Sequence, residues 1–123
     1  MITGSVNANR EAVISLVVRG PGNEDRKIEA VIDTGFNGFL TLPPRVITAL
    51  RLSRLGLARV RVADGREQFL QIYEAAVIWD GQSRIVEVDS ADTDALLGMA
   101  LLDGYALRIE VTNGGAVEVN KLP

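Results

Sequence analysis

Short apolar runs alternate with clusters of turn formers along the whole chain. Glu11–Arg19 reads E-A-V-I-S-L-V-V-R, rich in β-branched residues and short enough for a strand. The turn cluster Gly20-Pro21-Gly22-Asn23-Glu24-Asp25 follows, and Arg26–Ile32 returns as a second strand. Ile2–Val6 is a candidate short strand ahead of them. Asp33-Thr34-Gly35 interrupts the second strand at its end. Phe36-Asn37-Gly38 continues a loop into strand-like Phe39–Leu42. Pro43 and Pro44 cannot sit inside a sheet. Pro44 suits the first turn of a helix, and Arg45–Leu50 carries Val46, Ile47 and Leu50 at helical spacing.

Leu57–Ala63 alternates, with Leu57, Ala58, Val60 and Val62 set between Arg59 and Arg61. Asp64-Gly65 predicts a hairpin, since type I′ turns require positive φ. The return strand covers roughly Arg66–Trp79, and Asp80-Gly81-Gln82 turns the chain into Arg84–Val88. Ser90–Asp94 is a polar loop. Ala95-Leu96-Leu97-Gly98 is an apolar run meeting a glycine. Met99–Asp103 predicts one or two helical turns, stopped at Gly104. Tyr105–Val111 and Ala116–Val119 form a closing hairpin around Asn113-Gly114-Gly115. The pattern predicts one all-β domain over residues 1–123. It has about eight strands and one or two short helices, in a small, mostly antiparallel β-barrel or sandwich.

Composition narrows the chemistry. The 123 residues include no cysteine and no histidine. Disulfides, thiolate nucleophiles, histidine bases and nearly all zinc sites are thereby excluded, and no metal or cofactor is expected. Any reaction must run on carboxylates, hydroxyls, Lys, Arg, Tyr or backbone groups. The net charge of −3 gives no reason to expect nucleic acid. No apolar run reaches the roughly 20 residues of a membrane helix. The start, MITGSVNANREAV, lacks the layout of a secretory signal. A cytoplasmic protein is expected, unless the chain is a fragment of a membrane-anchored parent. Six arginines fall within Arg45–Arg66, against one acid, Asp64. Five acids fall within Glu87–Asp103 with no basic residue. Solvated faces explain both; a basic rim favouring acidic peptides is the alternative.

The informative segment is Ala30-Val31-Ile32-Asp33-Thr34-Gly35. A carboxylate leaves an apolar strand and is followed at once by a hydroxyl and a glycine. Gly35 permits a tight turn in which backbone N–H groups face the carboxylate, and Thr34 can both donate and accept locally. Taken alone, the tripeptide reads more readily as a turn Asp after a strand. Its context is more specific. A hairpin tip, Asp64-Gly65, follows about thirty residues later, and then Leu96-Leu97-Gly98 precedes a short helix and a closing strand.

In that order these segments resemble the retropepsin-like aspartic proteases, the single-lobe group, and among them the bacterial-type members. Val31-Ile32-Asp33-Thr34-Gly35-Phe36-Asn37-Gly38 carries the first likeness. Leu96-Leu97-Gly98-Met99 with Leu101-Leu102 carries the second. The resemblance spans about residues 11–119. It implies a peptidase in which two carboxylates share a proton and a water. This chain has one Asp-Thr-Gly. Its internal rival, Asp92-Thr93-Asp94, lacks the glycine and reads as a solvated loop. The resemblance therefore implies a homodimer in which Asp33 of each copy is catalytic and a peptide or protein is the substrate. Thr34 and Gly35 would hold the loop, Gly98 would pack behind it, and Ala63, Asp64, Gly65 and Arg66 would form a flap over the peptide. Ile2–Val6 and Ala116–Val119 are candidates for an intersubunit sheet.

Phe36 departs from the family pattern, where many members place Ala or Ser after the glycine. Either its ring packs inward behind the loop or it narrows the cleft. Trp79, Phe69 and Tyr73 read as core or strand-face residues. Two other classes remain open: a catalytically idle dimer that binds peptides through the same groove, and a monomeric β module in which Asp33 is only a turn residue.

Overall fold

The structure, a computed structural model, describes residues 1–61 and 63–123. Val62, placed in a strand by the alternation of Leu57–Ala63, lies outside the described residues. Strand β1 (Ile2–Val6) leads to β2 (Ala12–Arg19) and β3 (Asp25–Ile32). In β2 the residues Ala12, Ile14, Leu16 and Val18 are buried. The alternate residues face outward, the period-two pattern of a half-buried strand. Then come β4 (Leu40–Leu42), helix α1 (Pro44–Leu50), β5 (Ser53–Arg61), β6 (Glu67–Trp79) and β7 (Gln82–Ser90). The chain closes with β8 (Leu96–Leu97), helix α2 (Met99–Leu102), β9 (Tyr105–Ile109) and β10 (Ala116–Lys121).

Ten strands join one sheet in the order β5-β6-β7-β4-β8-β3-β2-β1-β10-β9. A further pairing of β2 with β6, Val17 opposite Ile78 and Val18 opposite Val77, closes six of them into a ring. One edge of β2 is thus divided, Ala12–Ile14 against β1 and Val17–Arg19 against β6. Most pairs are antiparallel; β3–β8 and β4–β7 are parallel. The core fills the ring with Leu16, Val18, Ala30, Leu40, Leu42, Val77, Val88 and Leu97. Helix α1 begins at Pro44, buries Val46, Ile47 and Leu50, and stops at Arg51 in the left-handed conformation.

Several expectations change. The strand count is ten among the described residues, not about eight, and one addition is Leu96–Leu97, two residues with no periodicity of their own. Asp64-Gly65 is not a type I′ turn. Only Gly65 has positive φ (86°), and strand pairing ends at Arg61 opposite Glu67, which leaves a longer loop. Asp64 closes that loop by accepting from the Arg66 N–H at 3.0 Å. The type I′ geometry is found at Asp80-Gly81 instead, both with positive φ, between Trp79 and its partner Gln82. Ile2–Val6 and Ala116–Val119 are not free to form an intersubunit sheet. Strand β1 lies between β2 and β10, and β10 lies between β1 and β9, so Gly4–Val6 and Ala116–Val119 already have partners on both sides within the chain.

Asp89 on β7 is half-buried beside Glu87. Burial first, and then the Glu87 charge, raise its carboxyl above the usual carboxylate range. A raised native value means that the folded state prefers the protonated form. The associated stability is fully present below the ordinary carboxylate range and is lost as pH rises through the native value. Asp89→Asn is therefore expected to raise the melting temperature at neutral pH, with the gain disappearing in acid. Thermal melts of parent and variant across pH 3–8 check this, and coincident curves would exclude a strained carboxylate.

Candidate functional site

Asp33 stands where β3 ends, and its position is set by backbone bonds from a distant segment. Its N–H donates to the Leu97 carbonyl at 2.9 Å, extending the parallel pairing of β3 with β8. Its carbonyl accepts from the Phe36 N–H at 3.1 Å, which turns the loop. The side chain is also fixed, since Oδ1 accepts from the Gly35 N–H at 2.9 Å. Oδ2 has no protein hydrogen-bond partner among the described residues. Asp33 is half-buried, while Thr34 and Gly35 are exposed. One carboxylate oxygen is thus held by the loop's own backbone.

The far side of the loop is bound just as tightly. Gly98 N–H donates to Phe39, Met99 N–H to Phe36 and Ala100 N–H to Gly38, at 3.0, 2.8 and 3.1 Å. Leu97–Ala100 therefore satisfies the loop's backbone carbonyls, which would otherwise be orphaned in a partly buried turn. Gly98 has φ −102° and ψ 178°, a conformation open to any residue. Space is what demands glycine there. A Cβ at that position would run into the Gly38 carbonyl and lie 2.6 Å from the Phe36 ring. A Cβ on Gly38 would also lie 2.6 Å from that ring. The Phe36 ring thus packs inward against Gly38 and Gly98, the first of the two orientations open to it.

The hairpin of β5 and β6 projects from the ring, and Ala63, Asp64, Gly65 and Arg66 at its tip are all exposed. Among the described residues β5 pairs with β6 alone. Arg59 lies over the Phe69 ring, 5.8 Å from its centre, and pairs with Glu67 at 3.5 Å. Arg45, Arg51, Arg54, Arg61 and Arg66 are likewise exposed, as the solvated reading of this cluster requires. Asp92, Thr93 and Asp94 form an exposed loop, remote in character from the held carboxylate of Asp33. Trp79 is buried against Tyr105, edge to face at 5.5 Å, and Tyr73 packs on the core. Phe69 is an exposed strand-face residue.

Among the described residues, no three acidic side chains are grouped so as to hold a metal ion. No helix is long and apolar enough to cross a membrane. A cleft of about 560 Å³ lies on the outer faces of β2 and β3, lined in part by Val13, Glu29, Val31, Arg45 and Asp94. It contains none of the Asp33 loop, and Glu29 within it is engaged by Ser15. A second depression of about 550 Å³, lined in part by Asn37, Phe39, Met99, Ala100 and Tyr105, borders the loop itself. Sequence reading missed the part played by Leu97, Met99 and Ala100, whose backbone groups hold the loop whatever their side chains are.

No protein-family model and no curated protein matches this sequence. Solved structures do match its shape. A retropepsin-like aspartic protease from Rickettsia conorii superposes with a TM-score of 0.64 at 18% identity, covering 99% of this chain and 91% of that one. The EIAV protease, in complex with an inhibitor, superposes at 0.59 and 13% identity, covering 78% of this chain and 88% of that one. A foamy viral protease-reverse transcriptase superposes at 0.53 and 15% identity, covering 76% of this chain and 12% of that one. At these identities the likeness is one of fold.

Proposed function

From a retropepsin-like fold in which one loop carboxylate is held by a single oxygen, we propose that this chain is an aspartic endopeptidase active as a homodimer. The observation that carries the reading is the Asp33 loop. It is clamped to Leu97–Ala100 on one side and bonded to Gly35 on the other, with Oδ2 unpartnered among the described residues. A reaction centre needs a carboxylate fixed in place before substrate arrives. A turn Asp needs no such clamp.

A single carboxylate cannot act as base and acid at once. In the dimer, Asp33 of each copy faces the other across a two-fold axis and the pair shares one proton. The ionised member takes a proton from a water as that water attacks the peptide carbonyl. The protonated member donates to the carbonyl oxygen. The tetrahedral diol then collapses: the member that took the water's proton passes it to the amide nitrogen, the C–N bond breaks, and the other member takes back a hydroxyl proton. No covalent enzyme intermediate forms. Thr34 and Gly35 support the loops beside the axis, and Gly98 backs them. Ala63, Asp64, Gly65 and Arg66 cover the bound peptide and exclude water.

Because half a site cannot catalyse, specific activity is expected to rise with protein concentration through the dimer dissociation constant. Hydrolysis of a fluorogenic peptide, measured beside sedimentation at the same concentrations, tests this. A fully active monomer would overturn the proposal. A stable dimer that binds peptides but hydrolyses none at any pH would identify the chain as a binding module instead.

A further inference from the structure

Asp33 shares its face of the sheet with groups on four other strands. In β3 the residues Ile28 and Ala30 turn into the core, so Val31 turns outward. The parallel bonding runs on from the Val31 N–H to the Asp33 N–H, which places the Asp33 side chain on that same outer face. Val31 pairs with Leu96, Leu96 with Thr41, Thr41 with Asp89, and Asp89 with Ile72. Directly paired residues lie on one face, so these five form a single row beside the reaction carboxylate.

The row is concave and short of positive charge. Thr41 and Ile72 point away from the core, yet they are only 5% and 9% exposed. Gly56 and Ala58 of β5, with Ile72 and Glu87, line part of a depression of about 220 Å³ on this face. The buried Thr41 hydroxyl makes no hydrogen bond among the described residues. Asp89 stands directly opposite it and is half-buried, and Glu87 lies on the same face two residues earlier. Glu74 stands opposite Glu87, a like-charge pairing that destabilises a sheet. None of these three carboxylates forms an ion pair among the described residues. Nearby cations are engaged elsewhere: Arg19 holds Asp25, and Arg84 lies over the Phe39 ring.

We propose that this row is a subsite for a basic side chain of the substrate, with Asp89 as its anionic contact, the Thr41 hydroxyl as an acceptor and Glu87 at its mouth. The substrate class is then a peptide that carries lysine or arginine within two residues of the cleaved bond. The inference rests on the endopeptidase reading above; the charge of the row rests on the strands alone. Asp89 lies three strand spacings from β3, about 14 Å along the sheet. A long side chain one or two residues along an extended peptide spans that interval. An ammonium or guanidinium there supplies the counter-charge that the chain itself withholds from Asp89, and it gives the Thr41 hydroxyl a donor. A glutamate at the same place meets two carboxylates. The preference is the reverse of the acidic one that the arginine cluster Arg45–Arg66 would confer.

The test uses fluorogenic peptides of one sequence that carry lysine, norleucine or glutamate at a single position, walked through the two residues on each side of the cleaved bond. At one of these positions kcat/KM for lysine is expected to exceed that for norleucine roughly 10–100-fold, with glutamate slowest. Asp89→Asn is expected to lower the lysine-to-norleucine ratio about tenfold. Glu87→Gln changes an exposed position and is expected to lower it about threefold, which keeps the test open should Asp89→Asn not fold. Circular dichroism checks both variants. Equal rates for the three peptides, or a lysine preference that the folded variants keep in full, would overturn the subsite and leave the endopeptidase reading standing. If no peptide is hydrolysed, the endopeptidase reading falls and the affinities of the same labelled peptides decide the subsite. Lysine bound more tightly by the parent than by Asp89→Asn upholds it, and equal binding overturns it.

Discussion

Asp33→Asn is expected to abolish peptide hydrolysis while leaving the fold and the dimer intact. The amide keeps an acceptor for the Gly35 N–H, so the loop retains its one side-chain bond. It cannot take a proton from water. Loss of general acid–base chemistry lowers turnover by roughly 10²–10⁴-fold. Mixing adds a sharper reading. When equal amounts of parent and variant exchange subunits, about a quarter of the dimers hold two parental carboxylates. Activity per parental chain should then fall to about half if both carboxylates are needed. Unchanged activity per parental chain would mean that each copy works alone and that Asp33 is not half of a dyad. Hydrolysis by the variant at the parental rate would remove Asp33 from the mechanism.

The second large effect is expected at a residue that touches no substrate. Gly98→Ala puts a methyl into the space between the Phe36 ring and the Gly38 carbonyl, where backbone cannot yield as a flexible side chain would. Overpacking of this kind costs about 3 kcal/mol. For a chain of this length that lowers the melting temperature by roughly 10 °C. Gly22→Ala is the matched control, since a Cβ at Gly22 meets nothing within 4 Å. Activity should fall in Gly98→Ala as well, because the displaced groups are the ones that bind Met99 and Ala100. If the two alanine variants melt together, the loop is not wedged against Gly98 and its rigidity has another source.

Most of what depends on near neighbours in the chain could be read from the residues in order. The alternation in Glu11–Arg19 and the buried spacing of Val46, Ile47 and Leu50 needed only the periods of a strand and a helix. The carboxylate loop was legible because Asp33, Thr34 and Gly35 carry their own turn chemistry, and the Gly35–Asp33 bond spans two residues. Asp64-Gly65 marked the correct hairpin but not its turn type. Whether Asp64 takes positive φ depends on where the strand register ends, and pairing stops at Arg61 and Glu67.

Tertiary structure decided the rest, for reasons of distance along the chain. Two residues are too few to show a period, so Leu96–Leu97 became a strand only by lying between β3 and β4. Phe36 could have faced the cleft or the interior. Gly98, more than sixty positions away, receives its ring, and no local pattern records that vacancy. The closure of β2 on β6 and the placing of β10 between β1 and β9 likewise pair segments whose matching is set by core shape and sheet twist. Residue order by itself marked most of the strands and the turn chemistry of Asp33-Thr34-Gly35. Long-range packing determined which strand keeps an open edge, because an edge is whatever the rest of the sheet leaves unpaired.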